Sequence, residues 1–369
     1  MLAGRHGVTT FDIEFATART YVRIEPGCLA SIGEALARYV KPTAVLVVSD
    51  ETVAALYGEP VRASVAGAGF ELDMLVLPPG DATKSLASAE RIYDRLGDMR
   101  VARDGVVLAL GGGMVSDLAG FAAATWMRGV RFGICPTTVE ADVDASIGGK
   151  TAVNHRAGKN LVGAFHQPVL VHMDPLCLRT LDQRDVVAGL AESIKHAAIA
   201  DEPFLTWHEA NREAVLAREP RAMAELLERN VRIKAGVVVR DEREHTAVRA
   251  SLNFGHTIGH AIEAACAYKW RHGECVALGM VAACRICASL GRVDGASSER
   301  LIRCIESYGL PVRLEAAMNA DELLSYIRRD KKLAGGKVRF TLLDGLGRTV
   351  LRDDVSERTI LDACRSLME

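Results

Sequence analysis

The chain has 369 residues, of which 49% are hydrophobic and 25% are charged, a composition typical of a folded globular protein. Its 45 Lys and Arg residues nearly balance its 47 Asp and Glu residues, which excludes the strongly basic character of proteins that bind nucleic acid through their overall charge. No run of about 18 uncharged apolar residues occurs, and the first residues lack the apolar stretch of a signal peptide. We therefore expect a cytoplasmic protein of two domains that binds neither nucleic acid nor membrane.

In the first half, short β-branched runs alternate with helical patterns, which predicts a mostly parallel, Rossmann-like sheet covered by helices. Strands are predicted at 44–48, 74–77 and 106–110, and helices at 52–68, 86–96 and 116–125. The third strand runs directly into Gly111, Gly112 and Gly113. A glycine turn between a strand and a helix can bring a diphosphate to the helix N-terminus. These glycines do not form the usual G-x-G-x-x-G fingerprint, so a tight packing turn is the alternative.

From about residue 182 the pattern becomes helical, which divides the chain into an α/β domain at 1–181 and a mostly α-helical domain at 182–369. Helices are predicted at 183–200, 220–239, 251–267, 273–290 and 297–308, and short strands at 338–343 and 349–351. The nine scattered cysteines fit a reducing compartment better than a disulfide framework. Cys284 and Cys287 lie in an apolar helical stretch, so we interpret this lone C-x-x-C pair as core packing.

Three separate runs, at 188–196, 253–260 and 271–274, together suggest a divalent-metal site. Glu192, His256 and His272 would supply a carboxylate and two imidazoles, a ligand set that suits zinc and leaves one position open for a substrate. Their spacing matches no local metal-binding motif, so the alternative is that each histidine is an ordinary core or surface residue.

Cationic and amide side chains are crowded after a second glycine-rich segment at 146–151, which lacks the P-loop spacing. We interpret residues 150–168 as a glycine-containing loop. If these side chains converge with others from later helices, they form a pocket for a small polyanion. The set is Lys150, Asn154, Lys159, Asn160, Lys195, Lys234, Arg249, Asn253, His260, Lys331 and Lys332. Taken singly, each is more ordinary, as an exposed helix or turn residue or a core imidazole.

A family resemblance joins these motifs. The runs at 111–125, 127–129, 136–138, 144–155, 158–160, 189–195, 252–263 and 272–274, in this order, strongly resemble 3-dehydroquinate synthase of the sugar-phosphate cyclase superfamily. The resemblance covers roughly residues 20–360. It implies a nucleotide-binding α/β domain, a helical domain, tightly held NAD, and a zinc or cobalt ion bound by Glu192, His256 and His272.

The resemblance also assigns further residues to ligands. NAD would be held by Asp50, Asp81, Lys84, Gly112, Gly113, Asp117, Thr137, Thr138, Asp144, Lys150, Lys159 and Thr180. The substrate would meet Asp144, Lys150, Asn160, Lys195, Lys234, Arg249, Asn253, His260 and one of Lys331 and Lys332. A homodimer is implied, in which Arg128 reaches the substrate phosphate of the neighbouring subunit.

The implied reaction converts 3-deoxy-D-arabino-heptulosonate 7-phosphate to 3-dehydroquinate and phosphate, a step of the shikimate pathway. NAD transiently oxidises a ring alcohol, phosphate is eliminated, the hydride returns, and an intramolecular aldol addition closes the carbocycle. Lys234 and Arg249 fall at positions that the resemblance assigns to the substrate carboxylate, which favours this substrate over sugar phosphates without a carboxylate.

Several departures from the family pattern keep a specialised paralogue open, such as an aminodehydroquinate synthase or a 2-epi-5-epi-valiolone synthase-like cyclase. Asp81, Glu140, Asp142 and Arg271 are unusual at their positions, and the stretch at 242–248 is one residue longer than usual. Glu140 and Asp142 could disfavour an anionic substrate, or pair with an amino group or with Arg271. A metal-dependent NAD alcohol dehydrogenase is a further alternative.

Overall fold

The computed structural model describes residues 8–314, 318–333 and 338–369, with the backbone alone at 330–333. The chain forms two compact units. The first comprises the chain up to Leu181 together with Arg218–Ala235, and the second comprises Asp182–Ala217 and the chain from Gly236 onward. The hydrophobic pattern changes at the first of these boundaries but carries no sign that Arg218–Ala235 belongs to the first unit.

Strands of the first unit are built from the β-branched runs of the sequence. They are β1 (Thr9–Glu14), β2 (Arg19–Ile24), β3 (Ala44–Asp50), β4 (Glu71–Leu77), β5 (Val106–Gly111), β6 (Arg131–Pro136), β7 (Lys150–His155), β8 (Gly158–Phe165) and β9 (Leu170–Met173). Seven of them form one sheet in the order β1-β2-β9-β6-β5-β3-β4. All neighbours pair in parallel except β1, which runs antiparallel to β2 at the edge.

Helices cover both faces of this sheet. They are α1 (Ile32–Ala37), α2 (Glu51–Gly67), α3 (Leu86–Asp98) and α4 (Gly113–Thr125). Because successive side chains of a strand point to opposite faces, Leu46 and Val48 of β3 pack with α3 and α4, whereas Val45 and Val47 pack with α1 and α2. The predicted Rossmann-like sheet with helices is therefore confirmed.

The interpretation of residues 150–168 as a loop is wrong for most of the segment. Strands β7 and β8 form an antiparallel hairpin, with Lys150 opposite Phe165 and His155 opposite Gly158. Strand β8 is largely exposed, so its sequence lacks the buried apolar run that identifies β3 and β5. Polar and glycine residues therefore concealed a strand pair.

The remainder of the chain is mostly helical, as predicted. Its helices are α5 (Gln183–Ala200), α6 (Glu202–Leu216), α7 (Pro220–Val238), α8 (His256–Ala265), α9 (His272–Ser289), α10 (Gly295–Ser307), α11 (Ala320–Leu333) and α12 (Glu357–Arg365), with a hairpin of β10 (Phe340–Leu343) and β11 (Thr349–Arg352). Most of α7 belongs to the first unit. Cys284 and Cys287 are buried free thiols in α9, which confirms their core role. No described helix is both long and apolar enough to cross a bilayer.

The helix predicted at 251–267 is interrupted. A 3₁₀ turn at Arg249–Asn253 precedes α8, and Gly255 between them has a φ of 81°. A Cβ atom at Gly255 would lie 2.7 Å from Met280 Cγ and 2.8 Å from Met280 N, because α9 packs directly against this turn. Only glycine tolerates both the left-handed conformation and this contact. The interruption makes His256 the first residue of α8.

Candidate functional site

The start of α9 lies directly on α5 in the second unit. His272 is the first residue of α9, and a Cβ atom at the next residue, Gly273, would lie 1.8 Å from the carbonyl oxygen of Ala188. Glu192 follows Ala188 by four residues on α5, so both occupy the same helix face. Glycine at position 273 therefore allows the approach that brings His272 beside Glu192.

Glu192, His256 and His272 form a compact cluster of possible metal ligands. Each offers one ligand atom, and these atoms lie within 4.8 Å of one another. The Nε2 atoms of His256 and His272 lie 3.6 Å and 3.7 Å from Glu192 Oε1. In the described part of the chain this buried oxygen has no hydrogen-bond partner, whereas Oε2 accepts from the Lys195 ammonium. A cation would satisfy the buried oxygen, so the donor set fits a divalent metal.

The protonation states also suit a metal. Burial disfavours charge on Glu192, but Lys195, His256 and His272 together hold its pKa well below the usual value. Burial, assisted by Lys195, lowers the pKa of His256 to about 3. Near neutral pH the cluster therefore presents a carboxylate and a neutral imidazole, which are the forms that bind metals.

Contacts behind the cluster orient its imidazoles. His256 Nδ1 lies 3.2 Å from Phe254 O, which leaves Nε2 for the Glu192 side. His272 Nδ1 lies 3.5 Å from Glu263 Oε1, a carboxylate–histidine contact of the kind that orients metal ligands. Sequence reasoning gave Glu263 no role, although it lies within the family motif. His260, one turn after His256, has its ring centre 5.2 Å from that of His256.

Two ion pairs tie the beginnings of α5 and α9 together. Arg184 donates to both carboxylate oxygens of Glu274, at 2.6 Å and 2.9 Å, and Arg271 Nε lies 2.7 Å from Asp185 Oδ1. Glu274 also accepts from the backbone N–H of Arg271, 2.9 Å away. The sequence did not reveal this clamp. Since Arg271 has an acidic partner in Asp185, its suggested pairing with Glu140 or Asp142 is not needed.

A cavity of about 540 Å³ adjoins the cluster in the second unit. Its wall comprises Glu244, His245, Thr246, Ala247, Ala250, Asn253, His256, Thr257, His260, Arg339, Thr341 and Leu351. It therefore brings together three residues of the predicted site, namely Asn253, His256 and His260. Arg249 is buried behind it, with Nη1 donating to Glu242 O at 3.0 Å and Nε 3.4 Å from Glu244 Oε1. The side chains of Lys331 and Lys332 lie outside the described residues.

In the first unit, the carboxyl ends of three adjacent strands bring predicted cofactor residues to one edge. Asp50 ends β3, Gly112 follows β5, and Thr137 follows β6. A Cβ atom at Gly112 would lie 3.0 Å from Thr138 Cγ2, so a side chain here would crowd the turn. Thr137 Oγ1 is buried and has no hydrogen-bond partner in the described part of the chain. This edge, with the α4 N-terminus at Gly113, is where a dinucleotide binds in such sheets.

Ion pairs connect the other predicted residues of the first unit. Lys84 pairs with Asp117 and donates to Asn160 Oδ1 at 2.6 Å, while Lys159 lies 3.2 Å from Asp81. Burial raises the pKa of Asp117, although Lys84 opposes the shift.

The remaining predicted residues of this unit are more dispersed. Lys234 Nζ lies 2.7 Å from Asp144 Oδ1, so two predicted substrate residues hold each other. Lys150 begins β7 and is exposed, as is Arg128, whose φ is 70°. Thr180 Oγ1 lies 2.7 Å from the hydroxyl of Tyr57, a residue that the sequence did not single out.

Asp142 lies inside the fold of the first unit. It is fully buried in a π-helical turn at Ala141–Ala145, and neither carboxylate oxygen has a hydrogen-bond partner in the described part of the chain. Burial raises its pKa well above the usual value, which favours the neutral carboxyl over the carboxylate. In that neutral form Asp142 would not repel an anionic substrate. Glu140, by contrast, is exposed.

Comparison with known protein families shows which family the chain belongs to. Residues 74–188 match the family described as 3-dehydroquinate synthase N-terminal, and residues 189–333 match 3-dehydroquinate synthase C-terminal. The chain belongs to the 3-dehydroquinate synthase family. The match confirms the resemblance drawn from the sequence motifs.

Several solved structures share the fold of this chain. ValA, a 2-epi-5-epi-valiolone synthase from Streptomyces hygroscopicus subsp. jinggangensis 5008, is 30% identical with a TM-score of 0.87, over 97% of this chain and 98% of that one. A 2-deoxy-scyllo-inosose synthase is 24% identical with a TM-score of 0.87, over 98% and 100% of the two chains. A probable glycerol dehydrogenase from Sinorhizobium meliloti 1021 shares the fold at 18% identity and a TM-score of 0.64, over 93% and 94%.

The predicted cofactors, NAD and zinc or cobalt, agree with the ligands present in two of these structures. The ValA structure holds NAD⁺ and Zn²⁺, and the 2-deoxy-scyllo-inosose synthase structure holds carbaglucose-6-phosphate, NAD⁺ and Co²⁺. This chain contains a possible metal-ligand cluster in Glu192, His256 and His272.

Proposed function

We propose that the chain is a sugar-phosphate cyclase that converts 3-deoxy-D-arabino-heptulosonate 7-phosphate to 3-dehydroquinate and phosphate. The observation that carries the proposal is the buried Oε1 of Glu192, which has no hydrogen-bond partner among the described residues and faces two imidazoles beside a polar cavity. When bound, a zinc or cobalt ion stabilises negative charge on a substrate oxygen, and NAD⁺ accepts a hydride from the ring alcohol and later returns it.

We assign the metal to Glu192, His256 and His272 of the second unit. Lys195 neutralises the far oxygen of Glu192 and keeps the carboxylate ionised in its buried position. Asn253 and His260 line the cavity and can donate hydrogen bonds to substrate hydroxyl groups. These polar groups hold the sugar ring in one orientation, so that proton transfers occur at defined atoms.

We assign NAD to the sheet edge of the first unit. Asp50 caps α2 by accepting hydrogen bonds from Thr52 N and Val53 N, both at Oδ1. Its Oδ2 can therefore accept a hydrogen bond from a ribose hydroxyl. The Gly112–Gly113 turn lets a diphosphate approach the α4 N-terminus, and Thr137 Oγ1 can donate to it. The further cofactor residues in this proposal are Asp81, Lys84, Asp117, Thr138, Asp144, Lys150, Lys159 and Thr180.

Two buried cations support a carboxylated substrate. Lys234 and Arg249 each hold a carboxylate of the chain itself, Asp144 and Glu244 respectively. Arginine presents a planar fork that matches a carboxylate, and a site built to hold one discriminates against ligands that lack it. The proposal includes a homodimer in which the exposed Arg128 contacts the substrate phosphate of the neighbouring subunit.

A second candidate is a cyclase of an uncarboxylated sugar phosphate. The similarity to ValA, which is described as a 2-epi-5-epi-valiolone synthase, favours it. The two candidates differ in whether Arg249 binds substrate. A substrate panel therefore separates them.

The test incubates purified protein, NAD⁺ and zinc or cobalt with the heptulosonate phosphate, its imino analogue or sedoheptulose 7-phosphate. We expect phosphate release from the heptulosonate phosphate without net NADH, and a product with the mass of 3-dehydroquinate. Stoichiometric NADH would indicate a dehydrogenase instead. Glu192→Gln should lose bound metal, whereas Glu357→Gln, which breaks an exposed pair with Arg328, should retain it.

A further inference from the structure

We propose that Glu244 is an internal latch on Arg249, which the carboxylate of the substrate displaces. The inference rests on the proposed function, because it assigns a carboxylate to the ligand. It concerns a residue to which neither the motifs nor the metal cluster assigns a role.

The pair joins a buried cation to a carboxylate that reaches solvent. The side chain of Arg249 is 3% exposed, whereas that of Glu244, 3.4 Å from it, is 41% exposed. A guanidinium remains charged at all ordinary pH values, and a buried charge is costly unless a counter-charge or hydrogen bonds satisfy it. In the described structure, Arg249 Nη1 donates to Glu242 O, whereas Nε has no hydrogen-bond partner among the described residues and has the Glu244 carboxylate as a counter-charge.

The position of Glu244 relates the pair to the ligand cavity. Glu244, His245, Thr246 and Ala247 line the cavity that also exposes His256, whereas Arg249 is not among its described lining residues. The loop therefore faces the cavity, and the guanidinium lies behind it. A carboxylate that enters beside the metal cluster finds Glu244 at the group that it would bind.

The backbone allows such a displacement. Asp241 anchors the base of the loop by accepting from Thr246 N at 3.1 Å. At the tip, Glu244 has a φ of 56°, a left-handed conformation that is unfavourable for residues other than glycine. Glu244 N also donates to Asp241 O at 3.3 Å, so the side chain can leave Arg249 while the turn stays anchored at its base.

Exchange of one carboxylate for another keeps Arg249 paired before and after binding. A ligand without a carboxylate offers Arg249 no counter-charge in exchange, so Glu244 stays beside Arg249 when such a ligand binds. The latch therefore reduces the apparent affinity of carboxylated ligands by the fraction of molecules in which it is closed, and it has little effect on ligands without a carboxylate.

The experiment compares two non-reacting probes by calorimetry on zinc-loaded, NAD⁺-saturated protein. One is the phosphonate analogue of the heptulosonate phosphate, in which carbon replaces the bridging oxygen, and the other carries a hydroxymethyl group in place of its carboxylate. We expect Glu244→Gln to bind the carboxylated probe about tenfold more tightly than the wild type, as for a latch closed in roughly nine of ten molecules. Glu244→Asp should give a smaller gain, and binding of the hydroxymethyl probe should change less than twofold.

Two controls isolate the latch. Glu299→Gln also removes a carboxylate from an arginine, Arg285, but in an exposed pair outside the cavity lining, and it should change neither affinity. In an Arg249→Ala background, Glu244→Gln should have no effect on the carboxylated probe. A structural role of Glu244 would not produce this dependence on Arg249.

Unchanged or weaker binding of the carboxylated probe by Glu244→Gln would overturn the latch. If the wild type still prefers that probe and releases phosphate from the heptulosonate phosphate, the proposed function stands without the latch. If the wild type prefers the hydroxymethyl probe, both the carboxylated substrate and the latch are refuted.

Discussion

Gly273 lies so close to the carbonyl oxygen of Ala188 that a Cβ atom at position 273 would stand 1.8 Å from that oxygen. The contact joins the helix that carries Glu192 to the helix that begins with His272. The family motif His-Gly-Glu thus combines a possible ligand, a close helix contact and an anchoring carboxylate in three consecutive residues.

Gly273→Ala should therefore reduce metal binding by moving His272 away from Glu192. We expect at least a tenfold weaker affinity for zinc, and a loss of about 1–3 kcal/mol in the free energy of unfolding from the overpacked contact. Competition with a chelator and chemical denaturation measure the two quantities. Gly295→Ala is the control, since a Cβ atom there meets nothing within 4 Å. Full zinc affinity in Gly273→Ala would show that the contact does not position His272.

The clamp between Arg184 and Glu274 should contribute more to the affinity for the metal than to the stability of the fold. Exposed ion pairs contribute only about 0–1 kcal/mol to folding, but a contact that positions a metal ligand can change affinity about 10–100-fold. We expect Arg184→Ala to lower zinc affinity about tenfold with a small change in melting temperature. Arg348→Ala, which loses an exposed contact with Asp344, should leave zinc affinity unchanged. Equal zinc affinity in the two variants would make the clamp irrelevant to the metal.

Thr137→Val should weaken NAD⁺ binding without destabilising the protein alone. The Oγ1 atom is buried without a described partner, so its removal deletes an unsatisfied polar group in the free protein and a hydrogen-bond donor in the complex. We expect about three- to tenfold weaker NAD⁺ binding by calorimetry, which corresponds to roughly 0.5–1.5 kcal/mol. Thr20→Val gives the contrast, since Thr20 donates to Pro168 O, and its loss should destabilise the protein but spare NAD⁺ affinity. A stability loss in Thr137→Val would contradict this account.

His172 should make stability fall in mild acid. Burial lowers the pKa of His172 to about 4, although its Nε2 contact with Cys28 O opposes the shift. Between pH 6.5 and about 4 the unfolded chain therefore binds a proton that the folded protein rejects, so the free energy of unfolding declines as pH falls. The effect is fully developed below about pH 4, where both states are protonated, and amounts to about 3 kcal/mol.

Denaturation at a series of pH values measures this contribution. We expect His172→Asn to flatten the dependence in that window, relative to wild type, whatever its stability at pH 7. His155→Asn, at an exposed histidine, should retain the wild-type slope. The same slope in wild type and His172→Asn would rule out His172 as its source.

Features that depend on local periodicity were predictable from the sequence. Strands β3 and β5 are buried on both faces, so their continuous apolar runs stand out, and the glycine turn after β5 fixes the start of α4. The ligand types in three separate runs suggested the metal cluster, but only the resemblance favoured it over three ordinary residues, since they come from different helices. Its assembly depends on glycine contacts, such as that of Gly273, which have no signature before the partner helix is known.

Other features depend on pairing between distant residues and were missed. The β7–β8 hairpin is polar because much of its surface is exposed, so no apolar alternation reveals it. In the sequence Arg271 looked anomalous and Glu244 looked unremarkable, because an exposed charge gives no indication of its partner. Each has a defined partner in the fold, Asp185 and Arg249 respectively.

The discontinuous first unit constrains how this protein is made. Its segment Arg218–Ala235 is synthesised only after α5 and α6 of the other unit, yet it supplies contacts to the N-terminal strand, with Glu228 Oε2 accepting from Thr9 Oγ1 at 2.9 Å and Arg232 lying 4.2 Å above the Phe11 ring. On the ribosome, the earlier residues must wait for this segment to emerge before their unit can be completed. Neither unit could be transplanted into another protein as one uninterrupted stretch of chain.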